Sequence, residues 1–269
     1  MENEGHISRV EPENGMAAVP PEAIPSADYS AIEAAPVQEH YPFWGYADLL
    51  IFFFFALFGF GVVNLVLWVL HPHVSRPAFV LLPAQCLIYA FLFLGLAGIL
   101  KVHYDQPFWQ SLRWVRTRPG EPRIILLGFA LAISLSFVGW ALRIPDVQTP
   151  MKQLLSDRTS LLLVAIFAVT LGPVCEELVF RGFLQPVLVR SLGVVPGIVA
   201  TAVPFGILHL PEYGNSWRHV LLITMAGAAF GWMRHVSGST RAAAVMHAAF
   251  NFVSVVGTFA AEKNLPSSW

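Results

Sequence analysis

The sequence predicts an all-α, polytopic transmembrane helix bundle, and three observations carry that prediction. Charged residues make up only 12% of the 269 residues and apolar residues 56%, whereas a soluble domain carries about 25% charged residues. Mean hydropathy is +0.62. The apolar residues are gathered in runs, and a helix that crosses a bilayer needs roughly 20 of them. The same figures, with a net charge of -1, exclude a disordered chain, a nucleic-acid binder with a basic face and a disulfide scaffold.

Residues 1–40 read as a separate tail. They hold one basic residue, Arg9, against eight acidic ones, with prolines at 12, 20, 21, 25 and 36. Such a segment cannot offset its ordering entropy and is predicted to be disordered. The first apolar span follows no signal-peptide layout and is expected to stay in the mature protein. Seven spans follow, at about 46–70, 78–100, 124–143, 160–184, 194–210, 218–234 and 241–261. An eighth arises if the first segment is irregular. The fifth and sixth are short. Trp44, Trp68, Trp140, Trp217 and Trp232 lie near the proposed ends, where amphipathic rings prefer the headgroup zone. Between the second and third spans, Phe108–Arg116 interleaves apolar and basic residues. It reads as an interfacial segment on an anionic leaflet, or as a basic loop with two buried tryptophans. The chain thus divides into a tail (1–40), N-terminal transmembrane helices with an interfacial loop at 101–123 (41–159), and a C-terminal helical core (160–261).

Basic residues set the orientation. The even-numbered loops carry five, two and two of them, and the odd-numbered loops one, three and one. This bias puts the N-terminus and the loop 101–123 in the cytoplasm. No internal repeat suggests a transporter built from inverted halves.

Polar groups inside the spans point to chemistry. The fourth span holds Glu176, Glu177 and Arg181. Each charge at a helix centre costs roughly 2.5–3.5 kcal/mol, so these groups should face the bundle interior or a wet cavity. Glu177 and Arg181 are four residues apart and can pair. Glu176 points about 100° away and lacks an intrahelical partner. A carboxylate so placed suits a general base. Pro173 should kink the helix just before the pair. Phe205 and His209 share one face of the fifth span, and His247 and Asn251 one face of the seventh. Singly, each is a packing residue or helix glue as readily as a functional one. Together they supply a base for water and donors for an oxyanion. Glu176, His209 and His247 could also ligate a metal such as zinc, although no His-Glu-x-x-His signature is present. Ser239 or Thr240 should cap the last helix. Ser237 and Ser239 lie at least ~12 Å along that helix from His247, too far for a serine dyad. Cys86 and Cys175 form no metal or disulfide pattern and read as apolar packing residues.

These residues carry a family resemblance. Glu176-Glu177 with Arg181, Phe205 with His209, and His247 with Asn251 reproduce, in order, the three motifs of the CPBP (Abi) family. That family comprises intramembrane endopeptidases such as the type II CAAX prenyl endopeptidases, and bacteriocin-processing or immunity proteins. The resemblance covers about residues 160–260. It implies an endopeptidase in which Glu176 activates water with His209 as partner. His247 and Asn251 stabilise the oxyanion, Glu177 and Arg181 hold the site, and Phe205 shapes the pocket. The sequence itself requires no cofactor, and the resemblance leaves both a divalent metal such as zinc and a metal-independent glutamate mechanism open. The implied partners are the lipid bilayer and a membrane-anchored peptide or prenylated protein, and no nucleic acid. The expected location is a bacterial cytoplasmic membrane, and the loop charges, with Glu176 roughly 22 Å into the fourth span, place the site nearer the cytoplasmic face. Two other classes fit the same residues: a proton- or ion-coupled transporter, and a non-proteolytic scaffold or immunity protein.

Overall fold

The computed structural model describes residues 41–70, 78–117, 120–144 and 157–261. The tail 1–40, and the part of the charge count that rests on Arg76, Arg118 and Lys152, lie outside the described residues.

The apolar runs fold as the helices expected of them. In chain order these are α1 (Tyr46–Leu70), α2 (Ala78–Ala97), α3 (Phe108–Ser111), α4 (Glu121–Ala141), α5 (Arg158–Val169), α6 (Leu171–Glu177), α7 (Gln185–Leu192), α8 (Val194–Leu208), α9 (Trp217–Ser237) and α10 (Thr240–Ala261). A π-helical stretch, Gly98–His103, prolongs α2, and another, Leu178–Leu184, joins α6 to α7. Six segments among the described residues are long and apolar enough to cross a membrane: Tyr46–Val69, Ala78–His103, Glu121–Ala141, Arg158–Leu192, Trp217–Ser237 and Thr240–Ala260. Helix α8 is apolar but shorter. Its 15 residues span about 22 Å at ~1.5 Å per residue, short of a ~30 Å hydrocarbon core. The expectation of a short fifth span is met, whereas the sixth, expected to be short as well, runs over 21 residues as α9 and is long enough to cross. Over the described residues the chain is all-helical, and it is a multi-pass membrane protein.

Large apolar side chains face outward along these helices. Phe54, Leu57, Phe58, Trp68, Phe137 and Trp140 are all exposed, as lipid-facing positions require. The interior is built from two clusters. One joins Trp44, Phe52, Leu96, Leu100 and Leu112 to Phe183 and Val187. The other joins Ile124 and Leu135 of α4 to Phe230 and Met233 of α9 and Met246 of α10. Helix α8 packs on α9, α4 on α10, and α10 also on α5, α6 and α9.

Polar bonds tie the helix ends together on one side. Arg190 donates to the carbonyls of Pro42 and Trp44. Arg234 donates to Tyr41 and to Thr240. Tyr104 donates to Asp48 at the start of α1, and Arg241 pairs with Glu121. The segment 108–116 is one helical turn followed by a loop that α10 holds: Thr240 N donates to Arg113 O and the Thr240 hydroxyl to Leu112 O. Phe108 and Leu112 are buried while Trp109 is exposed. Ser239 caps α10, its hydroxyl accepting from Ala242 N at 3.2 Å.

Candidate active site

The site begins with a helix break. Thr170, with φ -123° and ψ -87°, separates α5 from α6. Pro173 accounts for it. A proline has no N–H to donate, and its ring clashes with the carbonyl four residues earlier, here Val169. The break therefore falls three residues before the proline. Beyond it, α6 gives way to the π-helical stretch immediately after Glu177. Such wide turns are frequent at functional sites.

Glu177 and Arg181 are both fully buried. Arg181 Nη1 donates to Glu177 Oε1 at 2.8 Å, and Nη2 donates to Gly227 O of α9 at 2.8 Å. The guanidinium also lies 4.4 Å from the centre of the Phe205 ring, a cation–π contact. Gly227 makes this possible, since a Cβ there would meet Phe205 at 2.9 Å and Arg181 Nη2 at 3.1 Å.

His247 completes the buried network. Its Nδ1 lies 3.0 Å from Glu177 Oε1. A carboxylate only accepts, so Nδ1 carries the proton and Nε2 faces away. Nε2 lies 4.0 Å from Glu176 Oε2. Phe230 stacks on the imidazole at 4.5 Å, and Phe205 meets it edge-on at 5.9 Å. One carboxylate, Glu177, thus links the arginine to the histidine, and the histidine looks across to the second carboxylate. Glu176 is less buried, with a side-chain exposure of 22%.

The remaining motif residues stand around this core. The Phe205 and His209 rings lie 4.9 Å apart. His209 follows the last residue of α8, and its Nδ1 sits 2.8 Å from Phe205 O. It therefore donates to a carbonyl at the helix end, where acceptors lack intrahelical partners. Asn251, one turn beyond His247, donates from Nδ2 to Ala168 O at 2.8 Å, just before the Thr170 break.

Two further residues stand at the site that motif reading missed. Tyr89 of α2 donates its hydroxyl to Glu176 Oε1 at 2.7 Å. A tyrosine in an apolar run reads as packing, and no spacing signal marks it. Glu212 lies in the single 3-10 turn Pro211–Tyr213. Burial pushes its carboxyl up from the ordinary range, His209 opposes that rise, and the charge of Glu176 adds to it. Its place four residues beyond the end of α8 gave no hint of this.

The three residues that could ligate a metal do not form a ligand set. Among the described residues no group of three or more His, Cys, Asp or Glu side chains is placed to hold an ion. Cys86 and Cys175 are free thiols.

Residues 158–253 match the family model for type II CAAX prenyl endopeptidase, Rce1-like, proteins. The matched segment carries all three motifs, and the resemblance expected over about 160–260 is shown there. No curated protein and no solved structure matches the chain.

Proposed function

We propose that this chain, a membrane-embedded bundle whose segment 158–253 belongs with the Rce1-like endopeptidases, is an intramembrane endopeptidase. Its substrate would be a membrane-anchored, CAAX-type peptide, and its location a bacterial cytoplasmic membrane with the site reached from the cytoplasm. The observation that carries this reading is the buried chain of contacts from Arg181 through Glu177 and His247 to the more open Glu176. Packing alone explains it poorly, because a buried charge network is a weak source of stability.

The chemistry follows from the two facing groups. A water about 2.8 Å from each partner spans the 4.0 Å between His247 Nε2 and Glu176 Oε2. Glu176 takes a proton from that water, and the oxygen attacks the scissile carbonyl carbon. The electron pair of the C=O bond moves to its oxygen. An Nε2–H of His247, when that nitrogen carries a proton, is placed to donate to the developing oxyanion, with the Asn251 amide as a second donor. As the carbonyl reforms, the C–N bond breaks and Glu176 returns its proton to the leaving amine. Glu177 and Arg181 hold the imidazole in place. No step is assigned to a metal.

A cleft of about 480 Å3 supports entry of an apolar anchor from the side. Its walls are Val169, Thr170, Leu171, Pro173 and Val174 around the helix break and Ala244, Val245 and Ala248 of α10, with Trp114 and Arg241 also lining it.

The test uses purified protein in mild detergent and a fluorogenic farnesylated CAAX peptide. Cleavage by the wild type, lost in Glu176→Ala and unaffected by a chelator, is the expected result. A folded wild type that leaves the peptide intact rejects this substrate, and cleavage that survives in Glu176→Ala rejects the assigned base.

A further inference from the structure

We infer that Tyr89 is a positioning residue for the general base, selecting which oxygen of Glu176 receives the proton. This rests on the reading of Glu176 as that base. Tyr89 belongs to α2 and lies far outside the segment 158–253 that matches the family.

The geometry is direct. The Tyr89 hydroxyl donates to Oε1 of Glu176 at 2.7 Å across 87 residues of sequence. That is the length of a charge-assisted O–H···O⁻ bond. Tyr89 is itself buried, at 7% exposure, and its ring stacks on Phe167 at 5.7 Å with an interplanar angle of 4°. Phe167 lies in α5, three residues before the Thr170 break. The same stretch of chain that presents Glu176 therefore clamps the tyrosine that holds it. Gly172 keeps the spot open, because a Cβ there would come within 3.3 Å of Phe167 O and 3.9 Å of Glu176 Oε1.

The two carboxylate oxygens are thereby made unequal. Oε1 accepts from the phenol, and Oε2 faces His247 Nε2. A proton arriving from water settles on Oε2, because Oε1 already holds a donor. It then sits on the side of the reacting atoms, ready for the leaving amine. Without the phenol, the carboxyl group can turn about its last bond and hold the proton on the wrong oxygen. Binding of substrate does not involve Tyr89 in this scheme, so the loss falls on turnover.

Tyr89→Phe is the variant of choice, since it removes only the hydroxyl and keeps the stack on Phe167. With the full chain in detergent and the farnesylated peptide, kcat should fall on the order of 10- to 100-fold, as for other small losses of catalytic alignment. KM should stay within about twofold, and Tm should fall only by the small amount that one lost hydrogen bond costs. A kcat within about twofold of wild type overturns the inference, whereas a purely structural tyrosine would lower Tm instead. A second measurement needs no substrate: the Tm values of wild type, Tyr89→Phe, Glu176→Ala and the double variant. Coupled residues make the double variant lose less than the sum of the single losses. Strict additivity also overturns the inference. If the wild type cleaves no peptide, the endopeptidase reading falls separately, and the Tm cycle still decides whether Tyr89 holds Glu176.

Discussion

Glu177 and His247 meet at 3.0 Å, Oε1 to Nδ1, although 70 residues separate them in the chain. The same oxygen also accepts from Arg181, so one buried atom organises two cations or donors from two helices. Glu177→Gln removes the charge and keeps the shape. It leaves a fully buried arginine without its counter-charge, a change that costs about 3–5 kcal/mol where partners are buried. Unfolding in mixed detergent micelles should show that loss. Glu176→Gln, at a partly exposed position, should cost much less stability while abolishing cleavage.

The crossing of α8 and α9 depends on Gly206. A Cβ there would lie 2.1 Å from Thr224 Oγ1 and 2.9 Å from Val220 O. A threonine side chain can turn aside, but a helix carbonyl cannot, so close approach needs the small residue. Gly206→Ala should cost about 1–3 kcal/mol as an overpacked interior position. It should also lower turnover, since His209 lies three residues further on. Adding Thr224→Ala should restore only part of the stability, which a comparison of the two unfolding midpoints will show.

Trp44 precedes α1 and is fully buried, its indole N–H donating to Phe183 O at 2.9 Å. Phe183 lies in the π-helical stretch, where the wide turn disturbs the ordinary ladder of backbone bonds. Its ring also stacks with Trp44 at 5.5 Å. Trp44→Phe keeps an aromatic ring but strands that carbonyl. The expected loss is about 1–3 kcal/mol, measured by chemical unfolding.

Glu212 predicts a pH dependence. Burial, its largest influence, holds its carboxyl above the ordinary value, and the charge of Glu176 acts in the same direction. The folded state therefore favours the protonated acid. That contribution to stability is complete below the unfolded value, near about pH 4, and is lost as pH rises through the raised folded value. Glu212→Gln removes the titration. Its Tm should match the wild type near pH 4 and exceed it increasingly towards pH 8. A difference that stays constant with pH would refute the assignment.

The bundle was largely legible as apolar runs. The first helix occupies the 46–70 expected of it, because lipid imposes one requirement along its whole length. The end of α2 was not: hydropathy suggests 100, whereas the α-helix stops at Ala97 and a π-helical stretch runs on to His103. A shift in backbone hydrogen bonding leaves no trace in side-chain hydropathy. Pro173 announced a kink, but the break falls at Thr170 because the ring acts on the preceding turn. Within the site, the pairing of Glu177 with Arg181 was written in their spacing. The contacts of Glu176 were not, since both partners come from other helices. Tyr89 shows the limit most clearly: its apolar neighbours describe where it is, and only the fold supplies the carboxylate 87 residues away.

The Glu177–Arg181 pair also bears on how such a chain is made. Synthesis proceeds from the N-terminus, so the segment carrying both charges enters the bilayer before α10 exists. Its later partner, His247, has not yet left the ribosome. A lone glutamate or a lone arginine would oppose that insertion, each by roughly 2.5–3.5 kcal/mol. Four residues apart on one helix, the two neutralise each other from the start. The span carries its own counter-ion into the membrane, and the last helix to arrive finds an acceptor already held in place.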